Sequence, residues 1–350
     1  MISIAQSISY GGLSMASMKD VARLAKVSVS TVSRVISRSV PVDEKTRLQV
    51  EKAIRKLQFK PNLLASGLRS KSGQVIGLAV PEILHPSFNA IIKYVEESVR
   101  SEGLQLILGN THNDFEIEAQ FIESLVRRHV DGIIFSRVSD QSSILHVVNK
   151  SHVPVVVLDR ALDTEDIPTV VLDNYKAGVL AAEHLVMLGH RKIACVAGHS
   201  NILLSRERLS GFSDTLRQHG IQLGHDRVYE GNFRYETGKE AVQKFFTDGV
   251  EITAIWAQSD LIAFGAMAEL ERMGIAVPES ISVMGLDDIE FARIAVPALT
   301  TVKQPFEDMC RKAVELIMLQ TRKEKLPSKR FVLAPELIVR NTTRSPRGSL

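Results

Sequence analysis

The chain has 350 residues, 45% hydrophobic and 24% charged, the balance of an ordinary globular protein long enough for two or three domains. No apolar stretch approaches the ~20 residues that span a bilayer, and Cys195 and Cys310 lie too far apart in sequence to form a metal or redox motif. The formal charge of +3 hides an asymmetry: residues 18–71 carry 13 Lys/Arg against 4 Asp/Glu, whereas residues 72–350 carry 30 against 36, so a small basic unit suited to a polyanion is joined to a larger acidic one.

Residues 1–17, MISIAQSISYGGLSMAS, carry no charge. Without a basic region ahead of a longer apolar core they do not read as a secretory signal. They are expected to be a disordered leader, with Met15 or Met18 as alternative starts. Ser17 and Asp20 form a capping-box pattern that opens a first helix, MKDVARLA, with Val21, Leu24 and Ala25 on its apolar side. Ser28 caps a second helix from Val29 to about Ser37. There Val32, Val35 and Ile36 share one side, and Val29, Ser30, Ser33 and Arg34 the other. The third helix, DEKTRLQVEKAIRKLQF, turns Leu48, Val50, Ala53, Ile54 and Leu57 inward. Three short helices with a tight first connection make a helix-turn-helix unit. A helix enters the DNA major groove when its outer side is trimmed with small or hydrogen-bonding groups. The hydroxyls of Ser28, Ser30, Thr31 and Ser33 suit phosphates, and Arg34 can pair bidentately with a guanine edge.

The segments MKDVARLAKVSVSTVSRVIS and VDEKTRLQVEKAIRKLQFKPNLLASGLRS resemble the headpiece and hinge of the lactose-repressor (LacI/GalR) family of bacterial transcription regulators, and the resemblance runs from Met18 to about Thr343. It implies that Val29, Ser30 and Arg34 read bases, that Asn62, Ala65 and Leu68 of the hinge touch DNA, and that Leu68 is a minor-groove wedge. The departure is Lys26, where many relatives carry glycine in the turn. A left-handed backbone there costs a non-glycine residue ~1 kcal/mol. Ser66 and Gly67 are poor helix formers, so the short hinge helix is expected to be loose alone and ordered on DNA.

From Gln74 onward apolar strands alternate with amphipathic helices. VIGLAV, LQLILGN, DGIIFS and VPVVVLD come first; after TVVLDN the pattern restarts through KIACVAG, TAIWAQSD and ISVMGLDD. Two tandem halves of this kind give two doubly wound subdomains with a ligand cleft at the strand ends. The resemblance makes this a periplasmic-binding-protein-like core crossed three times, near Asp173, Pro305 and Leu333. The expected organisation is a leader (1–17), an all-α headpiece (18–61), a hinge (62–73), an α/β core (74–343) and a tail (344–350). Within the core the N-subdomain takes about 74–172 and 305–332, and the C-subdomain about 173–304 and 333–343. Ser136, Asp159, Ser259, Asp260 and Asp287 stand at strand ends. Converging carboxylates, an arginine and an aromatic face suit a polyol. The resemblance implies effector contacts from Asp159, Arg208, Ser259, Asp287 and Gln304, and aromatic packing from Phe88 and Phe233. Ser259 stands where an asparagine is common, which removes one bidentate partner. Asp260 is expected to cap the helix LIAFGAMAELERMG, and Trp256 to lie in the core. His85, Arg137, Arg160 and Arg206 read as surface residues that could add charge to the cleft.

Asp159 and Asp287 could also be read as the acid/base pair of a glycosidase. Against this, the chain has no G-x-G-x-x-G, P-loop, G-x-S-x-G or H-E-x-x-H motif. A solute-binding protein for transport would need a signal peptide and no basic headpiece. The reading is a DNA-binding regulator, not an enzyme, with no catalytic residue, metal or cofactor. Its partners are a near-palindromic operator, a sugar, sugar acid or nucleoside effector, and a second copy of itself. The tail RSPRGSL lacks apolar heptads, which favours a dimer over a zippered tetramer. Cys195 reads as a buried thiol; that fits a reducing compartment, and the expected location is the cytoplasm.

Overall fold

The computed structural model describes residues 16–37, 41–59, 74–136, 148, 151–160 and 166–346. The leader, the hinge residues Asn62, Ala65 and Leu68, and Arg137 lie outside them. The chain divides into two units, Met1–Gly73 and Gln74–Leu350.

The first unit is three helices, α1 (Met18–Ala25), α2 (Val29–Ser37) and α3 (Glu44–Lys56). Ser17 and Asp20 exchange both capping-box bonds, Asp20 N–H to Ser17 Oγ at 3.3 Å and Ser17 N–H to Asp20 Oδ2 at 2.9 Å. Lys26 takes the left-handed conformation with φ 55°, which lets α2 begin with only three residues between it and α1. Ser28 Oγ accepts from the Thr31 amide at 3.1 Å, and Asp43 caps α3 through the Thr46 amide at 3.2 Å. Val21, Val32 and Val50, one from each helix, are fully buried. Two expected core residues are not: Leu24 is 42% and Leu48 51% exposed. At about 100° per residue, Leu48 lies some 200° from Val50 and cannot share its face. Leu24 falls roughly 100° from the middle of the stripe formed by Val21, Ala22 and Ala25.

The second unit holds β1 (Val75–Val80), α4 (Pro86–Ser101), β2 (Gln105–Asn110), α5 (Phe115–Arg127), β3 (Gly132–Phe135), β4 (Val155–Leu158), β5 (Thr169–Leu172), α6 (Asn174–Met187), β6 (Ile193–Gly198), α7 (Leu203–Gln218), β7 (Val228–Gly231), α8 (Tyr235–Thr247), β8 (Ala254–Ala257), α9 (Asp260–Arg272), β9 (Ser282–Asp287), α10 (Glu290–Ile294), β10 (Thr300–Lys303), α11 (Phe306–Thr321), β11 (Arg330–Leu333) and β12 (Glu336–Ile338). One sheet runs β11-β5-β4-β3-β1-β2 and is parallel throughout. The other runs β12-β10-β9-β8-β6-β7. It is parallel except for the edge strand β12, which pairs antiparallel with β10. The chain passes from the first sheet to the second at Asp173. It returns at Gln304–Pro305, where α11 joins the first sheet, and passes over again after Leu333, which pairs with Leu172.

Burial on both faces explains the continuous Val/Ile/Ala runs. In β6, Ile193, Cys195 and Ala197 face α6 and α7, while Ala194 and Val196 face α8 and α9. Trp256 is fully buried on the first of these faces and stacks on Phe212 at 4.4 Å between ring centroids. Burying such a ring contributes about 2–3 kcal/mol. The helix pair α6/α7 meets so closely that a β-carbon on Gly178 would stand 2.1 Å from the Arg208 carbonyl oxygen. Both cysteines are buried free thiols whose ionisation burial pushes upward in pH. Among the described residues no helix is long and apolar enough to cross a membrane.

Candidate functional site

In the first unit Ser30 and Arg34 are exposed along α2, while Thr31 and Ser33 are half-buried. Val29 is half-buried and packs on the headpiece core, so it lies at the edge of the outward face. Ser28 is exposed, but its hydroxyl is held within the helix start, 2.7 Å from Ser30 Oγ and 2.8 Å from Thr31 Oγ1. The outcome is a short basic unit whose second helix offers a narrow ridge of small hydroxyls with one guanidinium at its end.

In the second unit a cavity of about 730 Å³ opens at the carboxyl ends of the strands of both sheets, where ligands of doubly wound folds sit. Asp159 follows β4 with φ 73°, and Asp287 ends β9 with φ 133° ahead of Asp288 at 59°. These left-handed positions cost a side chain roughly 1–2 kcal/mol, least for Asp and Asn, and persist only where the surroundings hold them. Around Asp287 and Asp288 the hold comes from Asp260 and Arg340. Fully buried Asp260 accepts from the Ile289 amide at 2.9 Å and from Thr301 Oγ1 at 2.5 Å, and Arg340 pairs with Asp288. Burial and the neighbouring Asp287 push the Asp260 carboxyl upward in pKa, opposed by those two bonds. The expected helix cap is corrected: Ser259, not Asp260, caps α9, with its hydroxyl accepting from the Ile262 amide at 3.2 Å. Asp260 is the first helical residue and ties down the 287–289 loop.

Asp287 is 3% exposed and joins the two halves. Its Oδ2 accepts from Ser87 Oγ at 2.7 Å, across 200 residues of chain, and its Oδ1 accepts from Gln304 Nε2 at 2.5 Å. Burial raises its pKa; the Arg208 guanidinium and these two donors oppose the shift. Arg208, also 3% exposed, donates from Nε to Asn174 Oδ1 at 2.9 Å and from Nη1 to the Gln258 carbonyl at 3.0 Å. Gln258 is itself locked by Ser205 and the Gly198 amide. Burial draws the Arg208 pKa down, and the carboxylates Asp287 and Asp159 work against it. On the aromatic side, Phe88 is buried under the Arg160 guanidinium, 5.9 Å from the ring centre. Phe233 lies over Gly198, where a β-carbon would meet the ring at 2.2 Å.

Seven of the eight sequence-derived cleft residues, Phe88, Asp159, Arg208, Phe233, Ser259, Asp287 and Gln304, line this cavity. Ser136 stands behind it: fully buried, it reaches Asp159 Oδ2 at 3.5 Å and is absent from the lining. His85 and Arg160, read from the sequence as surface residues, both line the cavity, whereas Arg206 is exposed and bonds the Ser200 carbonyl. Sequence reasoning passed over Ser87, Asn113, His199, Asn201, Asn232 and Arg234. Asn113, His199, Asn201, Asn232 and Arg234 stand within three residues of a strand end, so the strand-end rule applied to β2, β6 and β7 would have found them, whereas Ser87 lies inside α4. Among the described residues no three His, Cys, Asp or Glu side chains come together as metal ligands. The arrangement is a set of fixed donors and acceptors around a half-apolar chamber, suited to holding a small polar molecule.

Residues 17–62 match the family model "Bacterial regulatory proteins, lacI family", and residues 73–333 match "Periplasmic binding proteins and sugar binding domain of LacI family". The chain is 35% identical to the HTH-type transcriptional repressor PurR of Vibrio vulnificus over 94% of its length and 99% of the relative's. It is 32% identical to the HTH-type transcriptional repressor CytR of Escherichia coli over 94% and 97%. Among solved structures it superposes on the lac repressor dimer bound to operator and the anti-inducer ONPF with a TM-score of 0.86 at 29% identity, covering 94% of this chain and 99% of that one. The transcriptional regulator CelR–cellobiose complex matches with a TM-score of 0.72 at 30% identity, over 93% and 99%.

Proposed function

This chain belongs to the lacI family of bacterial regulatory proteins, and from that premise we propose a homodimeric repressor that binds a near-palindromic operator and answers to a small sugar-like effector held in the core cleft. It is a DNA-binding transcription regulator and not an enzyme, as its relatives are. The carrying observation is α2: Val32 is fully buried, while Ser30 and Arg34 are exposed on a unit with 9 more basic than acidic residues. In this reading Arg34 pairs with a guanine edge, the hydroxyls of the ridge meet phosphates, and Asn62, Ala65 and Leu68 add hinge contacts. The effector rests between Phe88 and Phe233 and bonds Asp159, Arg208, Asp287 and Gln304, with Ser136 steadying Asp159 from behind. Ser259, its oxygen engaged as a helix cap, offers the ligand its hydroxyl proton.

A pairing surface fits the exposed apolar residues Leu84, Phe291, Ile294 and Val296, at 82%, 60%, 62% and 97% exposure. Ligand binding and DNA binding then change each other's affinity by the same factor. A cytoplasmic location fits this reading, since work on DNA and two buried free thiols suit a reducing compartment. Selection of bound duplexes from a random pool, followed by gel-shift titration, tests the regulator reading. The expected product is an inverted repeat bound at least ~10³-fold tighter than random DNA. Equal affinity for both would end it.

A further inference from the structure

His85 stands at the N-cap of α4 and does no capping there: its side chain makes no bond to the helix it precedes. It instead reaches from the N-terminal half of the cleft to the C-terminal half, with Nε2 3.0 Å from the carbonyl oxygen of Phe233. A carbonyl oxygen only accepts, so Nε2 carries the proton and Nδ1 is left with a lone pair. That Nδ1 is buried and has no hydrogen-bond partner among the described residues. Burial first, and the Arg160 charge with it, pull the pKa of His85 down to about 4, against the pull of the Phe233 carbonyl and Asp159. The ring is therefore neutral at pH 7, and Nδ1 remains an acceptor.

Gln304 repeats the pattern at the other wall. It is 4% exposed, and its Nε2 donates to Asp287 Oδ1. Turning the amide over would set its oxygen 2.5 Å from a carboxylate oxygen, so the orientation is fixed. Its Oε1 is thereby an acceptor, buried and likewise without a partner among the described residues. Both residues line the same cavity. Two buried acceptors to which no described residue donates are costly unless an incoming molecule supplies the hydrogens.

We propose that His85 is an effector-binding residue, and that Nδ1 of His85 and Oε1 of Gln304 together select an effector presenting at least two neutral hydrogen-bond donors, O–H or N–H, to this side of the cleft. The inference rests on the cleft being the effector site. It selects against ligands that would place an ionised carboxylate or phosphate here, since their oxygens cannot donate and would set acceptor against acceptor. A sugar ring satisfies the requirement through hydroxyls, and a nucleoside through ribose hydroxyls or base N–H groups.

The test uses the full-length protein labelled with [15N]histidine, with the His85 signals identified by their loss in His85→Phe. At pH 7 the expected signature is a protonated Nε2 and a bare Nδ1; a protonated Nδ1 overturns the proposal. D-glucose, cellobiose, D-ribose, cytidine and adenosine are then added singly, against D-gluconate, D-glucuronate and glucose 6-phosphate. At least one neutral compound is expected to move the Nδ1 signal and to bind roughly tenfold or more weakly to His85→Phe. A response to the sugars alone assigns the donors to hydroxyls; a response to the nucleosides alone assigns them to the nucleoside. Response confined to the acids and the phosphate, response to no compound, or undiminished binding by His85→Phe each overturns it. Asp287→Asn separates the two layers. A probe weakened by that change and not by His85→Phe leaves the cleft as the effector site and removes His85 alone. A probe weakened by neither removes both.

Discussion

Gly178→Ala links helix packing to the cleft. The added β-carbon would stand 2.1 Å from the Arg208 carbonyl oxygen and 2.7 Å from the Phe212 amide nitrogen, whereas ordinary contact begins at 3.4 Å. Both neighbours are backbone and cannot swing aside, so α7 has to retreat by up to about 1.3 Å in an interior packed too densely to absorb it. Arg208 rides on α7. Its bonds of 2.9 Å to Asn174 and 3.0 Å to Gln258 would stretch past the range of a useful hydrogen bond. Overpacking of this kind costs about 1–3 kcal/mol, a fall of roughly 3–9 °C in Tm for a unit of this size. The misaimed guanidinium should weaken effector binding about tenfold, the scale of one bond to a charged group. Calorimetric melting and titration with whichever compound stabilises the wild type measure the two effects. Gly274→Ala is the comparison: its φ is 73°, but no atom lies within 4 Å of the new β-carbon. It should lower stability through backbone strain alone, by ~1 kcal/mol, with effector affinity intact. If Gly178→Ala melts and binds like the wild type, or Gly274→Ala weakens binding equally, the coupling through α7 is wrong.

Arg34→Ala should lose roughly 1–3 kcal/mol of operator affinity per half-site while weak, salt-sensitive binding to random DNA persists; an unchanged specific-to-random ratio in gel shifts would refute the base-reading role. Lys26→Gly should stabilise the headpiece by up to ~1 kcal/mol by relieving the left-handed backbone at φ 55°, read as slower amide exchange at Val21 and Val32; faster exchange contradicts it. His85 titrates at about 4 in the folded protein and near 6.5 unfolded. The unfolded chain therefore takes up the extra proton between those values, and stability present above pH 6.5 is lost as the pH falls toward 4. Urea melts should show His85→Phe with a shallower loss over that window, by on the order of 3 kcal/mol at its acid end; parallel curves would exclude His85 as the source.

Much of this molecule was written locally. Ser17, Ser28 and Asp43 cap because a hydroxyl or carboxylate beside a helix start finds an amide two or three residues on, whatever the rest of the chain does. The buried strands follow from unbroken apolar runs. The strand-end rule alone placed Asp159 and Asp287 at a cleft. Tertiary structure decided what depends on distant partners. Leu48 sits on a helix whose existence the sequence announces, but its inward or outward aim follows from which stripe the other two helices cover. Ser259 and Asp260 are both competent caps. The loop at Ile289 and the hydroxyl of Thr301 draw Asp260 away and leave the cap to Ser259. Ser136 ends a strand like its neighbours, yet lies behind Asp159 rather than in the chamber. His85 and Ser87 look like unremarkable residues of a helix start, and they gain meaning only where Phe233 and Asp287, 148 and 200 residues further along, come to face them. Backbone preference acts over about four residues, whereas a hydrogen bond across a cleft exists only once both sheets have formed and the chain has crossed between them.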